Sequence, residues 1–555
     1  MMPHSIRKGR SALALAALLT GAVLLTGCTA GGTAVDTSGD QLLTIPREDM
    51  GTFSRNFNPF TPNAAPMTQQ AVYESMLVYN PADGGTTPWL ATEWATSDDG
   101  LELTFTMRDG VTWSDGEPMI AGDVAYTFEL QKELLGGFDY LDSVEADSDQ
   151  SVRFVLNRPY SPALYEIGQQ IIVPQHIWEE IDDPAKDTNG TPVGTGPYTE
   201  VTSFQSQSFD LGKNPNYWQP EKQKIAGIRM LAFAGNDGAN LAAVNGEVDW
   251  AYQFMPDIEK SFVAKDPEHR QFWFPSTGSM INWQLNTTKA PFDDVNVRKA
   301  LSMAVDREQV TDIAMNGYTS PADCTGLSGA YTTWVDADIA ASCDWTNHDV
   351  DAANALFDSA GYPLGADGTR TLPDGSAFTL DISVGSASSD WLSAATIIAQ
   401  NLAEVGITAR VDSPDWPTVS ASYEDGSFDT GIVWSNNAPT PYQFYRGVMS
   451  TDTVKPVGEK TFENYHRFAS PEADALLATF AASSDPAVQT EAVNGLQGQF
   501  AADAPVIPLF AGPEWGMFTD TRFTGWPTAS DPYATLSTKS PTTVLVLTSL
   551  EPVTK

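Results

Sequence analysis

Apolar positions along this chain recur in two rhythms. From Leu101 to Met107 they alternate strictly, with Leu101, Leu103, Phe105 and Met107 on one side. A period of two marks a strand with one buried face. Asp109-Gly110 predicts a hairpin turn, Val111-Thr-Trp113 the return, and Ser114-Asp115-Gly116 a second turn. Asp123 to Leu135 then reads as a helix. The helical rhythm is clearest between Asp294 and Val305, where Val297, Ala300, Leu301 and Ala304 share one face and Asp294 caps the start. Asp306 caps a second helix, with Gln309 at the capping-box position and Gly317 as the stop. Ser389 to Val405 is a third, with Ala394, Ile398, Leu402 and Val405 in phase and Gly406 at its end. Ile407 to Val411 alternates as the strand that follows, and Phe428 to Trp434 reads as another. Helices and strands intermingle throughout, which predicts a mixed α/β class.

The N-terminus has a different pattern. Arg7, Lys8 and Arg10 precede a short apolar stretch, Ser11 to Leu25, and Leu25-Thr26-Gly27-Cys28 matches a bacterial lipobox. Such a stretch is an export signal rather than a span. Residues 1–27 are therefore expected to be cleaved and Cys28 lipidated, leaving the protein outside the cytoplasm and anchored to the cell membrane. Residues 28–40 are rich in Gly, Thr, Ala and Ser and read as a flexible tether. No later apolar run approaches the length of a membrane helix.

The chain has 555 residues, enough for two or three lobes. Its formal charge of −41 opposes nucleic-acid binding and favours solubility. Besides Cys28 the only cysteines are Cys324 and Cys343. In an exported protein they can form one disulfide, or remain two buried thiols.

Enzyme signatures are missing. His4, His176, His269, His348 and His466 are scattered singly, so no zinc site is expected. Gly326-Leu-Ser328-Gly329 is out of register for a nucleophile elbow. Gly194-Thr-Gly196 lacks the third glycine of a dinucleotide fingerprint and reads as a turn. No cofactor is expected. The 71 acidic residues leave a glycosidase or peptidase open, but no pair among them stands out.

The positive signal is an ordered series of segments. It begins with Leu90-Ala-Thr-Glu-Trp94, Phe105-Thr-Met-Arg-Asp-Gly-Val-Thr-Trp113 and Gly122-Asp-Val-Ala-Tyr-Thr-Phe-Glu129. It continues through Val193-Gly-Thr-Gly-Pro-Tyr198, Asn214-Pro-Asn-Tyr-Trp218, Asn245-Gly-Glu-Val-Asp249, Asn286-Thr-Thr-Lys-Ala-Pro-Phe-Asp-Asp294 and Ala504-Pro-Val-Ile-Pro508. This series resembles the family 5 solute-binding proteins of ABC importers, the dipeptide and oligopeptide receptor type that includes cello-oligosaccharide binders. One departure is Ile120, where the family usually has a capping Thr; a lost cap costs about 1 kcal/mol. Trp113, the Asp115-Gly116 turn and Phe128 read as fold determinants rather than a site.

The resemblance implies a three-lobed, periplasmic-binding-protein-like clamshell. Lobe I would comprise 41–70, 190–290 and 505–555, a small lobe II 71–189, and lobe III 291–504. Hinges are expected near 287–291 and 504–508. The implied protein is a monomer that captures a solute between lobes and delivers it to a permease and ATPase complex, without catalysis.

Peptide receptors of the family hold the peptide amine with a carboxylate just after a lobe III strand. Here that stretch is Ser435, Asn436, Asn437, Ala438, Pro439 and Thr440, with no acid. Asp429 and Glu424 lie nearby. A buried ammonium without a partner costs several kcal/mol, so a neutral oligosaccharide is expected, with an oligopeptide as the alternative. Asn436 and Asn437 would bond hydroxyls. Trp434, Trp283, Trp250 and Trp515 would supply stacking faces, and Tyr252 and Tyr442 complete the expected ligand-binding set.

Overall fold

The computed structural model describes residues 41–435 and 437–554. The signal, Cys28, the tether and Asn436 lie outside the described residues.

Four sheets of three or more strands organise the described residues. Leu42–Arg47 pairs in parallel with Gly227–Ala232, which continues antiparallel to Ser208–Gly212 and Glu200–Gln205. A small sheet joins Trp250–Ala251 and Arg270–Phe272 to Met517–Thr519. The alternating stretch lies in the strand Glu102–Met107, inside a four-stranded antiparallel sheet with Ala91–Thr96, Ser151–Leu156 and Leu141–Ser148. Its Leu103, Phe105 and Met107 are buried, as period two requires.

The helix beside that sheet spans Ala121–Leu135 and starts at Ile120. No side chain caps it, but Asp123 keeps the reciprocal half of a capping box: its Oδ2 accepts the Ile120 N–H at 2.9 Å, while Oδ1 accepts Gln175 N–H at 2.9 Å. Trp113 and Phe128 are buried against this layer.

The fourth sheet is five-stranded, in the order Thr408–Asp412, Thr379–Ser383, Thr430–Trp434, Ser276–Leu285, Ile507–Pro513. The first three run parallel to one another, and the last two are antiparallel to their neighbours. This corrects the expected lobe boundary. Ser276–Leu285 registers with Thr430–Trp434 from Ile281 to Leu285, so it belongs to the lobe III sheet. The chain enters that sheet at Ser276 and leaves it at Pro513, not near 287–291 and 504–508. Asn286 sits inside this lobe, its Nδ2 donating to the Gly426 and Phe428 carbonyls at 2.8 and 3.0 Å.

Helices Val295–Ala304 and Ser389–Glu404 cover the sheet. Asp294 caps the first by accepting Asn296 N–H at 2.8 Å, and Asp306 caps the next turn by accepting Gln309 N–H at 2.9 Å. Cys324 and Cys343 form a disulfide with Cα atoms 6.2 Å apart.

The Gly194-Thr-Gly196 turn is packed against backbone. Gly196 and Tyr198 donate to Val72 and Ala71 carbonyls at 2.9 and 3.0 Å. A Cβ on Gly194 would fall 2.0 Å from the Val72 oxygen. Its two glycines thus serve close backbone approach, not phosphate binding.

Candidate functional site

A cavity of about 530 Å³ opens at the carboxyl ends of the three parallel strands. Open α/β sheets present ligands at that edge. The strand Thr379–Ser383 leads to Trp391, Thr408–Asp412 leads to Trp416, and Thr430–Trp434 ends on Trp434. Neighbouring strands thus deliver three indoles to one wall. Trp434 lies 5.2 Å from Trp416 and 5.9 Å from Trp391 between ring centroids, with interplanar angles of 32° and 39°. Trp434 is 45% exposed although the rest of its strand is buried. Such a face is available for stacking on a flat, partly apolar ligand.

The opposite wall comes from the other side of the crossing strands. Arg47 ends the first strand of the chain, Glu48 and Asp49 follow it, and Ser537 to Pro541 lie near the chain's end. Arg47 Nη2 donates to Asp49 at 3.1 Å, and Lys539 Nζ bonds Glu48 at 3.0 Å and Asp49 at 3.1 Å. Burial pushes the Asp49 carboxyl up, but Lys539 and Arg47 together hold it well below the ordinary range. Lys539 also lies over the Tyr252 ring, 5.1 Å from its centroid. Two cations and two carboxylates thus neutralise each other.

Two further acids line the cavity and form no ion pair within the described residues. Asp390 sits in the first turn of Ser389–Glu404, 4% exposed, and burial pushes its carboxyl up to about 6. Glu514 follows the last strand of the sheet, and its Oε2 is buried without a hydrogen-bond partner. Burial raises Glu514 as well.

Of the residues expected from sequence, Trp434, Tyr252, Trp515 and Asn437 line this cavity. Asn437 is braced by donating Nδ2 to Thr277 at 2.9 Å. Trp515 is largely buried against Phe254 and Phe274, at 5.3 and 4.8 Å. Three others are corrected. Trp250 is fully buried, donates Nε1 to the Leu536 carbonyl at 2.7 Å and packs on Trp526. Trp283 is fully buried in the middle of its strand. Tyr442 stacks on Phe480 at 5.2 Å, away from the cavity. Each is core because its strand or helix turns that face inward.

The stretch after the Thr430–Trp434 strand brings no acid to the cavity, but other segments do. The 435–440 segment has none, and Asp429 and Glu424 are taken by Lys289 at 2.7 Å and Lys460 at 2.9 Å. The carboxylates arrive instead from the adjacent residues 48 and 49 and from residues 390 and 514, three places far apart in the chain. Trp391 and Trp416 were missed for the same reason. Their signal was an indole just beyond a strand end, readable only once the strands are known to be parallel neighbours.

Known proteins resemble this architecture. The family described as bacterial extracellular solute-binding proteins, family 5, matches residues 85–455. The chain is 27% identical over 425 residues to protein XP55 of Streptomyces lividans, spanning 73% of this chain and 72% of that one. It is 28% identical over 399 residues to the nickel-binding periplasmic protein of Escherichia coli, spanning 69% and 73%. A Thermotoga maritima periplasmic oligopeptide-binding protein solved with mannohexaose superposes with a TM-score of 0.85 at 26% identity, over 92% of this chain and 99% of that one. Among the described residues no helix is long and apolar enough to cross a membrane.

Proposed function

This chain belongs to the bacterial extracellular solute-binding proteins, family 5, and serves an ABC importer as its solute-binding protein; we propose that its solute is an oligosaccharide of the cello-oligosaccharide or β-glucoside type. The observation that carries this reading is the wall of Trp391, Trp416 and Trp434, with Trp434 half-exposed to the cavity. Indole faces stack on the apolar faces of pyranose rings, and the amide of Asn437 and the hydroxyls of Ser435, Ser537 and Ser540 suit sugar hydroxyls. The likeness to a mannohexaose-bound protein supports the same class.

In this reading three lobes close around the solute, with the crossings at Ser276 and Pro513 as the hinge. The closed state gains population by the differential affinity of the solute. Cys28 anchors the mature protein to the membrane by lipid. The protein acts as a monomer beside its permease and ATPase and transforms nothing.

A second reading, an oligopeptide, is favoured by one observation: Asp390 and Glu514 line the cavity outside any ion pair among the described residues and would suit a peptide amine. Thermal shift with cello-oligosaccharides and with peptides separates the two. A cognate ligand at 100 to 1,000 times Kd stabilises by roughly 3–4 kcal/mol. Stabilisation by peptides alone sinks the sugar reading, and any product formed from either ligand sinks the receptor reading.

A further inference from the structure

Two tyrosines of the segment 71–189 reach across to the backbone beside the stacking wall. Tyr79 ends the strand Leu77–Tyr79, and Tyr165 lies in the helix Ala163–Gly168. Their rings pack edge to face, 5.4 Å between centroids. Gln169 ties strand and helix together: its Oε1 accepts the Tyr79 N–H at 3.3 Å and its Nε2 donates to the Leu77 carbonyl at 2.9 Å. The two elements touch at Gly168, where a Cβ would fall 2.7 Å from the Leu77 side chain. Held in this way, Tyr165 donates its hydroxyl to the Asn437 carbonyl and Tyr79 donates to the Ala438 carbonyl, both at 3.3 Å. Asn437 lines the cavity just beyond Trp434. From the other side the Tyr331 hydroxyl accepts the Ala438 N–H and donates to the Ala438 carbonyl, each at 2.8 Å.

The segment is bonded unequally on its two sides. On one side the bonds are to backbone or to a buried carboxylate. Gly196 N–H donates to the Val72 carbonyl at 2.9 Å, Asn80 Nδ2 to the Pro532 carbonyl at 2.8 Å, and Tyr217 and Trp218 to Glu74 at 3.2 and 3.1 Å. On the other side, towards the five-stranded sheet and its helices, the two tyrosine hydroxyls are joined by a smaller seam. There Ser161 N–H donates to the Ala481 carbonyl at 2.7 Å, Gln489 Nε2 donates to the Ser161 hydroxyl at 3.2 Å, and Tyr160 packs edge-on to Tyr442 at 6.0 Å. Neutral hydroxyl bonds of 3.3 Å are weaker than bonds to a carboxylate. When the lobes part, the seam towards the sheet is therefore the one that opens.

We propose that Tyr79 and Tyr165 form a closing latch: their hydroxyls bond the 437–438 backbone only while the lobes are shut on the solute, which makes them positioning residues for Asn437 and Trp434. This rests on the hinged reading above and not on which solute fills the cavity. Neither tyrosine lines that cavity, so affinity depends here on hydroxyls the solute never touches. Bonds made in the shut state alone shift the closing equilibrium by their own free energy, with solute or without it.

The test compares the folded mature chain with Tyr79→Phe, Tyr165→Phe and the double variant, which lose only hydroxyl oxygens. Cellotetraose and tetra-alanine are titrated by calorimetry, small-angle scattering gives the radius of gyration with and without them, and the unliganded proteins are melted. Whichever solute binds the wild type is expected to bind the double variant about tenfold more weakly, as the loss of two neutral hydrogen bonds predicts. Each single variant should take a share of that loss, and the unliganded melting temperature should hardly move. A merely structural role does the reverse: a lower unliganded melting temperature with affinity kept within about twofold overturns the latch. If the solute contracts the wild type but the double variant keeps its affinity, the latch alone falls. If bound solute leaves the radius of gyration unchanged, the hinged reading falls and the latch with it. If neither solute binds, the solute class falls and the unliganded proteins decide: a larger radius of gyration in the double variant supports the latch, and an equal one overturns it.

Discussion

Trp416 and Trp434 face each other across the ends of two parallel strands, their ring centroids 5.2 Å apart and their planes 32° from parallel. Trp416 opens a helix and packs on its buried Val419 and Tyr423, whereas Trp434 ends a strand and turns its ring outward. Trp434→Ala should therefore uncouple affinity from stability. An indole at the centre of a contact typically contributes about 2 kcal/mol or more to binding, so oligosaccharide affinity should fall by roughly 30-fold. The melting temperature of the unliganded protein should change little, because Trp434 is 45% exposed. Calorimetry and a thermal melt on one preparation check both.

Glu74 predicts a stability that declines towards alkaline pH. Burial pushes its carboxyl from 4.5 up to about 7, against hydrogen bonds from Trp89, Trp218 and Tyr217. An acid raised in the folded state favours folding fully below about 4.5 and loses that contribution as pH rises through about 7. At about 1.36 kcal/mol per unit the effect is on the order of 3 kcal/mol. The melting-temperature advantage of the wild type over Glu74→Gln should shrink between pH 4 and pH 8 (roughly the window of that shift). A constant difference would contradict it.

His466 has the opposite sign. It is fully buried, donates Nε2–H to the Val448 carbonyl at 2.9 Å, and leaves Nδ1 without a partner. Burial lowers its value from 6.5 to about 3, and Arg298 and Arg467 lower it further. The unfolded chain then binds the extra proton, so stability contributed by His466 is lost as pH falls below 6.5. His466→Asn keeps a donor for Val448 and should cost about 1 kcal/mol at neutral pH. Urea titrations should show it losing less stability than the wild type on acidification.

Gly194→Ala tests the close approach between the turn and residues 71–73. Its Cβ would lie 2.0 Å from the Val72 oxygen and 3.0 Å from the Val72 side chain. Backbone must move, so the cost should exceed that of an ordinary surface change and reach about 3 kcal/mol or more. The readout is a lower melting temperature or loss of soluble yield; a neutral effect would show that the segment yields freely.

Local sequence by itself determined the elements and their caps. Strict alternation marked the buried face of Glu102–Met107, and Asp294 and Asp306 announced their helices, because periodicity and capping act within a few residues. The ordered motifs pointed to the family for a related reason: they are the turns and caps that a chain of this fold needs. Which indoles meet solvent was decided only by tertiary structure. Trp283 and Trp434 lie on adjacent strands of one sheet, yet Trp283 is fully buried at its centre and Trp434 emerges at its edge. Asp390 and Glu514 share a cavity across 124 residues of chain (514 against 390), a juxtaposition produced by strand order rather than by spacing. Charge compensation is settled only among neighbours in space, so Asp429 acquired a lysine and Asp390 did not.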